Sequence, residues 1–153
     1  MNREIPKDFY ITSDTWFGRP QILQIANRRD FQTIEEMDAV LIKNWNKKVK
    51  KNDVVFHLGN FAWDPITARK VLKKLNGTIF FLKGSQDDAL VEVIHEFPNA
   101  SFLDNDIIEL IDFDLVFCHY PLSVWNGKDS GTIHMHGHTV FSHKTDLKIE
   151  NRF

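Results

Sequence analysis

Val54-Val55-Phe56-His57-Leu58-Gly59-Asn60-Phe61 decides how this chain is read. Val54 to Leu58 is a nearly continuous apolar run. A half-exposed strand alternates apolar and polar residues, whereas a strand covered on both faces does not. Gly59 stops the run and a polar residue, Asn60, follows. The same order of an apolar run and then a polar cluster recurs along the chain. Phe9 to Ser13 reads as a strand ending at Asp14, with the cluster Ser13-Asp14-Thr15-Trp16 at its end. Thr78 to Leu82 leads into Lys83-Gly84-Ser85-Gln86-Asp87. Leu115 to Cys118 leads into His119-Tyr120-Pro121, and Thr132 to Met135 into His136-Gly137-His138-Thr139. In α/β folds ligands sit beyond the carboxyl ends of strands, so these clusters can converge on one site.

Helical patterns separate the early strands. Thr33 caps a helix that the spacing predicts to run to about Val49, with Glu36 placed for a capping box. Asp64-Pro65 opens a second helix reaching about Leu75, with proline in the first turn. Asp88 to Phe97 reads as a third. Ile107 to Ile111 and Leu115 to Cys118 read as strands around an Asp112-Phe113-Asp114 turn. Strands alternate with helices first and follow one another later. That order predicts an α/β sandwich with mixed sheets and flanking helices. No repeat, low-complexity tract or linker divides residues 1–153, so one domain is expected.

Composition narrows the function classes. There are 19 Lys and Arg against 21 Asp and Glu, a net charge of −2, so bulk electrostatic binding of nucleic acid is not expected. A single cysteine, Cys118, fits a reducing cytoplasm and excludes a disulfide framework within the chain. No run of about 18 apolar residues is present, so no membrane span is expected. The first residues lack the apolar stretch of a signal peptide. Seven histidines raise the question of metal chemistry, and 13 Phe with 4 Trp supply unusual aromatic bulk.

Taken in order, the five clusters resemble the motifs of the calcineurin-like metallophosphoesterases, in the small bacterial and phage-borne form. That family's pattern is Asp-x-His, Gly-Asp, Gly-Asn-His-Asp/Glu, a lone His, then Gly-His-x-His. Here the matching blocks lie between Asp14 and Val140, with Phe56-His57-Leu58-Gly59 and His119-Tyr120-Pro121-Leu122 as supporting words. The resemblance implies a metallophosphoesterase-type α/β sandwich. It also implies two divalent ions bridged by a carboxylate, which clamp the attacking and leaving oxygens of a phosphoester. A host-cytoplasmic location follows if the chain is phage-encoded.

Residue by residue, the match implies a vestigial site. Asp14 matches the first Asp, Asp87 the late acidic residue, His119 the lone His and His138 the first His of the last block. Trp16 stands where that family has a metal-binding His, and Asn60 where it has the bridging Asp. Ser85 stands for the Asn ligand, Gln86 for the His that stabilises the transition state, and Val140 for the final His. Indole nitrogen donates only, and valine binds no metal. No catalytic residue is therefore assigned, and no cofactor is expected. The alternative is one weakly bound Mn, Fe, Zn or Mg ion, with Asp14, Asn60, His119 and His138 as the candidate ligands, in a residual single-metal phosphodiesterase or phosphatase.

The expected function is a pseudoenzyme that binds or regulates, as an inhibitor or host-interaction protein, with a protein partner or a nucleotide-like ligand. Trp16, Trp63 and Trp125 are the candidate binding residues. Trp16 reads as a stacking platform or as a plug filling the volume of the lost ions. His134 and His136 share a strand face and could ligate with His138 or His143, although packing is the ordinary role. His57 reads as a satisfied core histidine. Lys43, Lys47, Lys48, Lys50 and Lys51 read as the solvated, dipole-compatible end of a helix.

Overall fold

The computed structural model describes residues 6–25 and 30–139; Val140 and His143 lie outside the described residues. β2 (Val54–His57) sits inside a four-stranded parallel sheet of order β1-β2-β3-β4, with β1 Tyr10–Thr12, β3 Thr78–Phe81 and β4 Ala100–Phe102. Its two faces explain its unbroken apolar run. Val55, with Ile79 and Phe81 of β3, packs against Ala68, Val71, Leu72, Leu90 and Val93. Phe56, with Leu58, Phe80 and Leu82, packs the other way against Leu110 and Phe117.

Those last two residues belong to a second, three-stranded sheet of order β5-β6-β7. It comprises β5 (Ile107–Leu110), β6 (Leu115–Cys118) and β7 (Ile133–His136). β5 runs antiparallel to β6, and β7 runs parallel to it. The space between the sheets is filled by aromatic rings. Phe56 lies 5.6 Å from Phe80 and 5.3 Å from Phe117, while Phe9 meets Phe56 edge-on at 5.2 Å and Phe113 at 5.1 Å. Such offset and edge-to-face pairs add to the gain from burial alone. The phenylalanines are shared between this inter-sheet core and the helix-covered face, where Phe17, Phe61 and Phe81 are buried.

Among the described residues four helices flank this arrangement: α1 (Ile22–Ile25), α2 (Ile34–Lys48), α3 (Pro65–Leu72) and α4 (Asp88–Val93). Thr33 caps α2 by accepting from the Glu36 N–H at 3.1 Å. The Glu36 carboxylate reaches back to the Gln32 N–H at 2.8 Å, one residue beyond the partner a strict capping box uses. Asp64 caps α3 through the Thr67 N–H at 2.9 Å, with Pro65 in the first turn. Lys43, Lys47, Lys48, Lys50 and Lys51 are all exposed.

Several boundaries differ from the expected ones. The pattern over 88–97 tightens to a 3-10 turn at Ile94–Glu96. α3 stops at Leu72 rather than Leu75. β5 ends at Leu110, and a 3-10 turn over Ile111–Phe113 closes on left-handed Asp114. β4 has no counterpart in the sequence reading. Its three residues, Ala-Ser-Phe, carry little strand signal, and parallel pairing with β3 makes them a strand. Among the described residues no helix is long and apolar enough to cross a membrane.

Candidate functional site

The turns after β1, β2, β3, β6 and β7 meet at one end of the two sheets. Backbone bonds stitch the first two together: Asp14 N–H to Gly59 O at 2.9 Å, Trp16 N–H to Asn60 O at 3.1 Å, and Phe17 N–H to Phe61 O at 2.9 Å. Gly137 N–H donates to His119 O at 3.0 Å, and His138 N–H donates to Asp14 Oδ2 at 3.0 Å. This approach has no room for side chains at three glycines, Gly59, Gly84 and Gly137. A Cβ on Gly84 would strike the backbone nitrogen of Asn60, and one on Gly137 would strike Ser13 Oγ. The turns are also strained. Asp14 (φ 53°), Trp16 (53°), Asn60 (61°) and His138 (66°) all adopt left-handed backbone. Each such residue costs on the order of 1–3 kcal/mol and persists only where its surroundings over-determine it. All four are positions singled out from the sequence.

Asn60 is at the centre. Its side-chain nitrogen lies 2.9 Å from Asp14 Oδ1 and 3.2 Å from His119 Nε2. Its Oδ1 accepts from the Gln86 backbone N–H at 3.1 Å and faces the Ser85 hydroxyl at 3.5 Å. The amide orientation follows, because acceptors flank one end and donors the other. His119 Nδ1 lies 2.6 Å from the Leu58 carbonyl, which only accepts. Nδ1 therefore carries the hydrogen, and Nε2 of the neutral ring accepts from Asn60. Ser13 Oγ donates to Asp14 Oδ2 at 2.6 Å.

Asp87 works underneath. It is fully buried, and its carboxylate accepts three backbone N–H groups: Gly84 at 2.7 Å, Asn60 at 2.8 Å and Phe61 at 2.8 Å. Burial pushes its carboxyl pKa up, while those three donors pull it back. Asp87 shapes the turn after β2 from the turn after β3. Ser85 and Gln86 are exposed beside it. His138 is exposed, with its ring edge-on to His119 at 5.2 Å and to Tyr120 at 4.7 Å.

These residues do not fit the bridged two-ion centre that the resemblance implies. A cation between Asp14 and His119 needs the lone pairs of Asp14 Oδ1 and His119 Nε2, and the Asn60 N–H groups already point at both. The other nitrogen of His119 is committed to Leu58. Among the described residues no group of three His, Cys, Asp or Glu side chains could hold a metal ion.

Trp16 is 1% exposed and packs with Ile22, Ile34 and Met37, so it fills volume rather than offering a face to a ligand. The Arg19 guanidinium lies 4.2 Å from the Trp16 ring centroid and 4.7 Å from that of Trp63, which is 44% exposed. Burial lowers the Arg19 pKa from its ordinary value. Trp125 packs elsewhere: it donates to Thr132 O at 2.8 Å and lies against His134 at 5.2 Å. His134 is buried, accepts from the Leu122 N–H at 3.1 Å, and lies 5.2 Å from His136 on the same face. His57 is buried and satisfied. It accepts from the Gly59 N–H at 3.2 Å and donates to Thr15 Oγ1 at 3.0 Å, while the Thr15 hydroxyl donates to Phe61 O.

Over 148 residues the chain is 32% identical to MJ1445, an uncharacterized protein of Methanocaldococcus jannaschii; the match covers 95% of this chain and 76% of that one. The chain belongs to the MJ1445 family. A solved structure, that of AQ665 from Aquifex aeolicus, a protein of unknown function, is similar at a TM-score of 0.56 and 26% identity. The match covers 74% of this chain but only 60% of AQ665. No family model matches the chain.

A cleft of about 300 Å³ on this MJ1445-family chain lies away from the Asn60 network, between β1 and α2. Ile11, Leu41, Trp45 and Val49 line it, and Lys48 and Asn44 sit among them. Sequence reasoning passed over Arg19 and Tyr120. Arg19 follows Trp16 by three residues, the spacing that brings it over the indole, but its second partner, Trp63, is visible only in the fold.

Proposed function

We propose that this chain is a converted calcineurin-like metallophosphoesterase that no longer hydrolyses phosphoesters and serves as a binding or regulatory protein. The observation that carries this reading is the Asn60 amide, which donates to both side chains that a catalytic ion would need. The left-handed turns and tight glycines of a strand-end site are kept, while the means of holding and activating phosphate are replaced. Trp16, at the position where the resembled family has a ligand, is buried among Ile22, Ile34 and Met37. The partner is a protein or a nucleotide-like ligand that meets the exposed rim of this end, where Trp63, Tyr120, Ser85, Gln86 and His138 face solvent. Tyrosine and tryptophan suit that role, since each offers a large rigid apolar face with a polar tip.

The test is turnover of a generic phosphodiester, bis(p-nitrophenyl) phosphate, with Mn²⁺ present. The unaltered protein is expected to give no turnover above buffer, and metal analysis no stoichiometric ion. The Trp16→His/Asn60→Asp double variant is assayed alongside. Robust turnover by the unaltered protein that disappears in His119→Ala would overturn the reading in favour of a residual single-metal hydrolase.

A further inference from the structure

We infer that the Asn60 carboxamide acts as a built-in substitute for bound cations, cross-linking the strand-end turns that an ion would otherwise draw together. An Asn side chain has two donor hydrogens and an acceptor oxygen with two lone pairs. Here its donors go to the turn after β1, at Asp14, and to the end of β6, at His119. Its oxygen takes the Gln86 N–H and faces the Ser85 hydroxyl, both in the turn after β3. Asn60 itself is in the turn after β2, so one side chain ties four segments. The β7 turn joins through His138 N–H on Asp14.

The electrostatics match the role. A carboxylate oxygen and an imidazole nitrogen both lie against the Asn60 amide nitrogen, at 2.9 and 3.2 Å, and two acceptors gathered at one buried point are unfavourable unless something positive stands there. The two N–H groups are the positive end of the amide dipole, and they stand there. Unlike an ion, they cannot be chelated or lost. The four left-handed residues at Asp14, Trp16, Asn60 and His138 are then held by a covalent part of the chain.

The isosteric change Asn60→Asp reverses this arrangement. It sets a carboxylate oxygen against Asp14 and the His119 lone pair at the present distances of 2.9 and 3.2 Å. Repulsion follows unless a cation enters. The inference rests on the proposed conversion of a metal centre.

The experiment is thermal unfolding of wild type and Asn60→Asp in EDTA and across a Mn²⁺ titration. The wild-type midpoint is expected to be the same in both. The Asn60→Asp midpoint is expected to fall by about 5–10 °C in EDTA and to climb back with Mn²⁺ concentration, as linkage requires. Adding His119→Ala is expected to abolish the recovery. An Asn60→Asp midpoint equal to wild type in EDTA, a loss that Mn²⁺ does not relieve, or a wild-type midpoint that rises with Mn²⁺ and needs His119, each overturns the inference. If Asn60→Asp does not fold, ¹⁵N NMR of the wild type decides. Both Asn60 side-chain amide protons are then expected to exchange with water at least tenfold more slowly than those of exposed Asn52; equal rates overturn the inference. Such a failure, with wild type still unable to hydrolyse the diester, leaves the proposed function standing.

Discussion

The side-chain nitrogen of Asn60 stands 3.2 Å from His119 Nε2, and the other ring nitrogen of His119 is held 2.6 Å from the Leu58 carbonyl. The histidine is thereby locked in one tautomer between β2 and β6, and both its nitrogens are occupied by the protein itself. His119 is thus part of the cross-link between the two sheets.

Removing it should expose that structural role. In His119→Ala, an Asn60 N–H and the Leu58 carbonyl lose their partners in a buried place. The expected loss is about 2–4 kcal/mol, from unsatisfied polar groups plus a small cavity. Urea unfolding measures it, and a loss below about 0.5 kcal/mol, the range of an ordinary surface change, contradicts the assignment.

His57 should make stability depend on pH. Burial, with a smaller contribution from nearby His119, lowers its pKa from 6.5 to about 3. The folded protein keeps the ring neutral, whereas the unfolded chain protonates it below pH 6.5. Its contribution is thus complete above pH 6.5 and falls as pH drops toward 3, by about 1.4 kcal/mol per pH unit. The wild-type unfolding free energy should fall with pH more steeply than that of His57→Gln, by about half a proton between pH 7 and 6 and nearly one between pH 6 and 5. Identical slopes would refute it.

The two tryptophans around Arg19 should behave differently. Trp16 is enclosed, so Trp16→Ala is expected to cost about 3–5 kcal/mol, the range for large aromatic deletions. Trp63 is partly exposed and covers one face of the guanidinium, so Trp63→Ala is expected to cost about 1 kcal/mol or less. Denaturation midpoints of the two variants compare them directly, and a reversed order would show that Trp16 does not act as a plug.

Gly59 is expected to tolerate no side chain. It has φ of 101°, and an added Cβ would lie 2.5 Å from His119 Nδ1 and 2.7 Å from Gly84 Cα. Backbone strain and overpacking combine, and Gly59→Ala is expected to lose about 2–4 kcal/mol. Gly131→Ala is the control. It shares a positive φ but has nothing within 4 Å, so it should lose less. Equal losses would show that the close approach at Gly59 carries no cost.

Much of the architecture could be read from local signals. The unbroken run Val54–Leu58 announced a strand covered on both faces, and Thr33 and Asp64 announced helix starts, because caps and periodicities depend on residues a few positions apart. β4 escaped notice because a three-residue strand is made by its neighbour rather than by its own composition. The clustering of polar residues after each strand marked where a site would form, without saying what the site contains.

The chain alone determined which residue types stand at the strand ends: an amide at 60, an indole at 16, imidazoles at 119 and 138. Only the tertiary structure decided what they do to one another. Asn60 meets Asp14 across 46 residues and His119 across 59, and the direction of its amide follows from donors and acceptors brought together by both sheets. Hydrogen bonding depends on angstroms and angles, and over such separations folding sets those quantities, not the local order of residues.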